Sequence, residues 1–369
     1  MNLFVPAPAE VPPAAALRMS DLDDVRRIAV LRALPGLGDL LCAVPALRAL
    51  RARFPRAHVT LVGLPAAEWF VARFGDLIDE LSVFPGFPGI PEVEPDPRRI
   101  AAFLARMHAR ELDLAVQLHG SGISSNPFVA LLGARRTAGF VLPGLPCPDP
   151  ELFIPYPALA PEPRRHLALL AHLGAPADDA ALAFPLSDDD RAEAAALALP
   201  RPFALLNPGA AEPRRRWPVE HFAAVGDGLV ARGLAVGVLG APADAPLAAA
   251  VVAGMRAPAH DLAGRTSLGG LGALLAAGAV LVTNDTGTSH LAAAVGAPSV
   301  VVFVSSDPAR WAPLDRQRHR ALGRVVGRAA RGDGLHELDP ALAPVTPEAA
   351  LAAAESLLAQ GSVPVRVRA

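Results

Sequence analysis

Apolar runs of strand length alternate with Ala- and Leu-rich runs of helical length along most of the chain. This is the pattern of parallel sheets fed by crossover helices. In the first half, strands are predicted at residues 27–32, 58–62, 80–83 and 114–117, and helices at 40–54, 98–110 and 126–132. Pro45 constrains the first of these helices: it begins as late as about residue 41, with Pro45 in its first turn, or it is kinked. Residues 141–163 are rich in proline without periodicity and read as a long irregular connection. A helix at 164–173 and an acidic run then lead to a helix at 191–199. The pattern restarts with strands at 203–206, 235–239, 280–283 and 299–304, between helices at 219–232, 268–277 and 291–295. A last helix, 347–359, is expected to pack back onto the first half.

Polar chemistry is most concentrated at 284–290, Asn-Asp-Thr-Gly-Thr-Ser-His, between a buried strand and an Ala-rich helix. Ligands of parallel sheets bind at the carboxyl ends of strands. A helix start there offers unpaired N–H groups and a positive dipole end, which favour an anion such as a phosphate. Asp285 or Thr286 serves simply as the N-cap on one reading. On the other, Asp285, Thr286, Gly287 and His290 together form a ligand loop, since a cap needs one side chain and this elbow supplies six polar residues.

Other loops also lie at strand ends: those at 36–39 and 119–122 share one rim in the first half, while those at 207–218, 240–244 and 262–267 converge with 284–290 on one rim in the second. Gly36 and Gly38 make a tight turn after the first strand, followed by Asp39, either a helix cap or a carboxylate aimed into a cleft. His119-Gly-Ser-Gly122 is an acceptor-side loop or a plain Gly-rich turn. Arg214, Arg215 and Arg216 beside Trp217 form a solvated patch or a phosphate grip. Gly240-Ala-Pro-Ala-Asp244 ends the strand at 235–239. Ser187-Asp188-Asp189-Asp190 resembles a metal-binding D-x-D, but its place before an Ala-rich helix makes capping and dipole compensation the better account.

Composition narrows the chemistry. The 369 residues can bury a large core and are expected to form two domains. Net charge is −2, which gives no sign of a nucleic-acid partner. Cys42 and Cys147 have no motif spacing, so neither a disulfide framework nor a zinc site is expected, and a reducing cytoplasm fits. The apolar run at 268–283 is too short for a transmembrane segment, and the N-terminus shows no export signal. All 34 basic residues are arginine. Schiff-base lysine chemistry and a lysine-bearing phosphate loop are therefore excluded. The first turn lacks the third glycine of a dinucleotide fingerprint, because position 41 is leucine, and no acidic residue closes the second strand. A nicotinamide enzyme is disfavoured, and so is an epimerase with a Tyr-x-x-x-Lys pair, since the one tyrosine is Tyr156 and lysine is absent.

From about residue 27 to 313 the chain resembles the bacterial glycosyltransferases of family 9, typified by ADP-heptose:lipopolysaccharide heptosyltransferases. The resemblance rests on Gly38-Asp39 with Pro45, Pro208-Gly209 with Arg215-Arg216-Trp217-Pro218, and Gly240-x-Pro-x-Asp244. It also rests on Leu262-Ala-Gly-Arg-Thr-Ser-Leu268, Asn284-Asp-Thr-Gly-x-x-His290 and Asp307-Pro-Ala-Arg-Trp311, in matching order. It implies an α/β GT-B architecture, two Rossmann-like doubly wound domains facing each other across a cleft. The corresponding division is a loose tail over 1–24, an acceptor domain over 25–185, a donor domain over 186–345, and a C-terminal helix and tail over 346–369.

The resemblance further implies inverting, metal-independent transfer of a heptose-like sugar from a nucleoside-diphosphate donor: the donor is expected to be ADP-linked, and the acceptor a hydroxyl of a cell-envelope or other glycan or glycolipid. Asp39 matches the family's general base, and Asp285, Thr286, Gly287 and His290 match its donor-diphosphate loop. Asp244 falls near its acidic ribose contact, and Arg215 stands where many members have lysine. No cofactor is implied beyond the nucleotide sugar, and the protein is expected in the cytoplasm, in peripheral contact with the inner membrane surface. A non-catalytic nucleotide-sugar binding protein on the same scaffold is the alternative.

Overall fold

The computed structural model describes residues 22–330 and 338–360. Its first half runs β1 (Arg27–Leu31), α1 (Leu37–Arg53), β2 (His58–Gly63), α2 (Glu68–Arg73), β3 (Glu80–Val83), α3 (Pro97–His108), β4 (Leu114–Gln117), α4 (Ser125–Ala130), β5 (Arg136–Val141) and β6 (Phe153–Pro155). These strands form one parallel sheet in the order β3-β2-β1-β4-β5-β6. Two helices follow, α5 (Glu162–His172) and α6 (Asp188–Ala196).

The second half repeats the plan with β7 (Phe203–Asn207), α7 (Val219–Val230), β8 (Ala235–Val238), α8 (Ala245–Gly254), β9 (His260–Asp261), α9 (Leu268–Ala277), β10 (Val280–Asn284), α10 (Gly287–Ala294), β11 (Ser299–Val302), α11 (Pro308–Trp311) and β12 (His319–Leu322). Its parallel order is β12-β11-β10-β7-β8-β9. An antiparallel pair, β13 (Val325–Ala330) with β14 (Leu338–Leu342), precedes α12 (Pro347–Gln360). Two doubly wound α/β sheets of this kind constitute the GT-B architecture. No helix among the described residues is long and apolar enough to cross a membrane.

In each sheet the strand order reverses beside the first strand, between β1 and β4 and between β7 and β10. Such switch points open a crevice at the carboxyl ends of the strands. The loops after β1, β4, β7 and β10 all carry residues singled out in the sequence.

The halves share a core. Leu40 and Leu41 of α1 lie in the same buried cluster as Leu291 and Ala292 of α10. A second cluster joins β7, β8 and β10 to Phe222 and Val225 of α7 and to Ala350, Ala354 and Leu357 of α12. The last helix therefore packs on the second half, not the first.

Three other expectations change. α1 starts at Leu37 and runs through Pro45, so the proline lies in the helix interior. It cannot donate to the carbonyl of Leu41, and the next carbonyl, Cys42 O, accepts from His166 Nδ1 at 3.3 Å. The proline-rich connection contains β6, which pairs with β5, a strand whose Arg, Thr and Gly obscure the apolar pattern. α6 begins at Asp188, and its acidic run is a capping box, with Ser187 Oγ accepting from Asp190 N and Asp190 Oδ2 accepting from Ser187 N. Most of the expected N-terminal tail, and residues 361–369 of the C-terminal one, lie outside the described residues. Leu22, inside the expected tail, is buried in the first core.

Candidate functional site

The site forms where the starts of α1 and α10 meet. Gly38 faces the ring of His290, and a Cβ on Gly38 would lie 2.4 Å from His290 Cδ2. A Cβ on Gly287 would lie 2.8 Å from Leu37 Cβ. Each glycine thus allows one half to approach the other, and Gly287, expected in a ligand loop, is also a packing contact.

On the first-half side, Asp39 occupies the first turn of α1, while the N-cap position is Gly36 with no side-chain cap. The reading of Asp39 as the cap is therefore corrected. Its carboxylate, 26% exposed, lies 3.7 Å from Arg32 Nη2. Arg32 is buried and well held. Its Nη2 donates to the Asp39 carbonyl at 2.8 Å and its Nη1 to Leu118 O at 2.6 Å. Arg32 Nη1 also lies 3.1 Å from His166 Nε2. Burial, with the charge of Arg32, holds His166 below its usual pKa. The neutral ring then donates from Nδ1 to Cys42 O and accepts from Arg32 at Nε2.

His119, after β4, accepts from Ala33 N at Nδ1, 3.3 Å, and turns Nε2 toward Glu92 Oε2 at 3.6 Å. Burial, helped by Arg32, pushes its pKa down to about 4. Glu92 moves the other way: burial raises its carboxyl, and the charge of Asp39 adds to the rise. The His119 loop thus stands close to Asp39, with Glu92 as a neighbour that the sequence pattern did not single out.

On the second-half side, Asp285 is buried and at the centre. Ser306 Oγ donates to its Oδ2 at 2.5 Å, Arg215 Nη1 lies 4.0 Å from Oδ2, and His290 Nε2 lies 4.0 Å from Oδ1. Arg215, 30% exposed, also pairs with Glu212 at 3.1 Å. The loop that carries it is fixed to β10: Asn284 Oδ1 accepts from Trp217 N at 2.9 Å, and Asn284 Nδ2 donates to Pro208 O at 2.8 Å.

Burial holds His290 below its ordinary pKa, against the opposing charges of Asp285, Asp39 and Glu162. Burial likewise raises Cys42 well above the ordinary thiol value. A neutral thiol 3.6 Å from His290 Nδ1 is the donor there, which leaves the ring proton on Nε2, toward Asp285. Thr286 takes the N-cap position of α10 without a side-chain cap bond. Its carbonyl accepts from Ser289 Oγ at 2.7 Å. Asp244 lies on the neighbouring loop, against Gly209, with Oδ2 accepting from Ala241 N at 3.1 Å. It takes no part in the ion pairs around Asp285.

The structure therefore brings Asp39, Asp285, Gly287 and His290 to one junction, with Arg215 at its edge and Thr286 at the start of α10. It also reveals Glu162, buried at the head of α5. Glu162 Oε2 lies 2.9 Å from Arg165 Nη1 and 3.0 Å from Arg310 Nε, and Oε1 lies 3.5 Å from Arg32 Nη2. Burial opposes its charge, but the guanidinium groups of Arg310 and Arg165 beside it hold the carboxyl well below its usual range. The sequence signal was present in Glu162, Arg165 and His166 at helical spacing i, i+3, i+4. Among the described residues, no group of three or more His, Cys, Asp or Glu side chains is arranged to hold a metal ion.

Two doubly wound sheets closing on such a junction define a GT-B protein. Residues 155–326 match the family model described as Glycosyltransferase family 9 (heptosyltransferase). The resemblance to that family read from the sequence is borne out. The chain is 32% identical over 167 residues to lipooligosaccharide heptosyltransferase 2 of Haemophilus influenzae, covering 43% of this chain and 48% of the relative. It thus spans about half the length of the curated relatives it matches. Among solved structures it is similar to a family 9 glycosyltransferase of Veillonella parvula, with TM-score 0.72, 22% identity, and coverage of 91% of this chain and 98% of that one. It is also similar to ADP-heptose lipopolysaccharide heptosyltransferase II of Escherichia coli, with TM-score 0.66, 21% identity, and coverage of 92% and 100%. At these identities the structural likeness speaks for the fold. The family segment includes Arg215, Asp244, Asp285 and His290, whereas Asp39 lies outside it.

Proposed function

We propose that the protein is an inverting, metal-independent glycosyltransferase. It moves a heptose-like sugar from an ADP-linked donor to a hydroxyl of a cell-envelope glycan. Residues 25–185 carry the acceptor side and residues 186–345 the donor side. The observation that carries this reading is the junction itself: the α1 start, with the Asp39 carboxylate, abuts the α10 start, with the Arg215–Asp285 pair beside it.

In this reading Asp39 takes the proton of the acceptor hydroxyl as that oxygen attacks the anomeric carbon. The bond from that carbon to the donor diphosphate breaks on the opposite face, and the electron pair leaves with the nucleoside diphosphate. Arg215 and the N–H groups at the start of α10 meet the departing charge. Asp285 is too enclosed to face a diphosphate directly. It orients Arg215 and the His290 ring instead, while Asp244 serves the ribose of the donor.

Thermal stability with a panel of nucleotide sugars tests the donor assignment. A ligand at 100 times its dissociation constant adds about 2.7 kcal/mol. ADP-linked sugars should stabilise and release ADP when a lipopolysaccharide acceptor is added. Stabilisation by UDP- or GDP-linked sugars alone would contradict the donor assignment, and binding with no turnover would favour a non-catalytic binding protein.

A further inference from the structure

Arg310 belongs to α11, after the last central strand of the second sheet, and Glu162 to α5, which packs on α1. Their contact, Arg310 Nε to Glu162 Oε2 at 3.0 Å, therefore joins the two halves. The same carboxylate reaches back through Oε1 to Arg32, 3.5 Å away, and Arg32 holds both the carbonyl and the carboxylate of Asp39. On the other side the Arg310 guanidinium lies 4.7 Å over the ring of Trp311, and Trp311 meets His290 edge-on at 6.0 Å between centroids. A continuous set of contacts thus runs from the α10 start to Asp39.

We propose that Glu162 is a positioning residue that sets the Asp39 carboxylate when the second half, through Arg310, engages it. The inference rests on the reading of Asp39 as the base. Its physical basis is charge balance in a dry place. Arg32 has only a 2% exposed side chain and Glu162 a 4% exposed one. Removing either partner of such a pair leaves the other buried and uncompensated. With Arg310 withdrawn, Glu162 keeps Arg165 but loses the partner that ties it to the second sheet. Arg32 and the first turn of α1 are then free to shift relative to α10. A displacement of about 1 Å is enough to cost on the order of 100-fold in rate.

The test uses the full chain, with ADP-heptose as donor and lipopolysaccharide lacking its heptoses as acceptor, and ADP titrated separately by calorimetry. Arg310→Gln, at a side chain only partly enclosed, should lower kcat by roughly 10- to 100-fold while the affinity for ADP stays within about twofold. Arg310→Lys should recover part of the rate, because it restores charge without the guanidinium fork. Glu162→Gln should match Arg310→Gln, and if that buried variant does not fold, the Arg310 pair of variants decides. In an Asp39→Asn background, Arg310→Gln should add no further loss, since both act through one group. Normal kcat in Arg310→Gln, or losses that multiply in the double variant, would overturn the positioning role while leaving Asp39 as base. A silent Asp39→Asn would overturn the base reading itself and the positioning role with it.

Discussion

Gly38 and His290, from opposite halves of the molecule, meet with no space for a side chain between them. The ring cannot simply withdraw, because it is buried against Cys42 and Trp311. Gly38→Ala gains some helix propensity but forces α1 from α10, and overpacking of this kind costs about 1–3 kcal/mol. The expected outcome is a lowered melting temperature with an intact circular-dichroism spectrum. An unchanged or raised melting temperature would show that the two helix starts are not in firm contact.

Arg215 approaches one oxygen of Asp285 and His290 the other. The two groups thus share a carboxylate, the guanidinium on one side and a neutral imidazole on the other. Arg215→Ala should weaken ADP binding by about 1.5–3 kcal/mol, the usual worth of a hydrogen bond to a charged group. Arg215→Lys should restore part of it. Calorimetry with ADP checks both, and unchanged affinity in the alanine variant would return the three arginines to a solvated patch.

The strands of both sheet centres were legible because buried parallel strands are short apolar runs, as in Val280–Asn284 and Ser299–Val302. β5 and β6 were not, since Gly139 and Pro155 interrupt the apolar signal. The starts of α1 and α6 were placed too late for a related reason: Gly38 and the run Asp188-Asp189-Asp190 do not look helical although they occupy first turns. Asp39, Asp285 and His290 could be found because each follows a strand at a switch point. Arg32, Glu162 and Arg310 could not be joined in sequence, because the separations of 130 and 148 residues between them are closed only by packing of the two halves. Arg310 lay within a recognised motif, but nothing in the motif named its partner.

Buried histidines give the fold a pH dependence with a definite sign. Burial holds His319 at about 4, with Nδ1 2.8 Å from Ser299 Oγ. The unfolded chain has an ordinary histidine near 6.5. Between these values the unfolded state binds more protons, so stability is full above about 6.5 and is lost as pH falls toward 4. His319 alone should account for about 1–2 kcal/mol between pH 7 and pH 5. Denaturant titrations of the protein and of His319→Gln check this, with a shallower acid loss expected in the variant. Equal slopes would contradict a neutral buried His319.

On the proposed reading, Arg215 and the α10 start meet the charge of the leaving diphosphate without a metal ion. Turnover of ADP-heptose should therefore be unaffected by a chelator and by added magnesium or manganese. Loss of activity on chelation with recovery on adding either ion would contradict that account.

The central claim is that Asp39 takes the proton of the acceptor. Asp39→Asn keeps the shape of the side chain and removes the acceptor of that proton. No backbone N–H is capped by this carboxylate, so removing it costs no cap bond, and Arg32, 3.7 Å from it, keeps Glu162 and the carbonyls of Asp39 and Leu118 as partners. The rate of ADP release with donor and acceptor both saturating is the most direct measurement. It should fall by ~10²–10⁴-fold in Asp39→Asn, with ADP affinity and melting temperature nearly unchanged. A well-folded Asp39→Asn protein that turns over at close to the normal rate would contradict the claim.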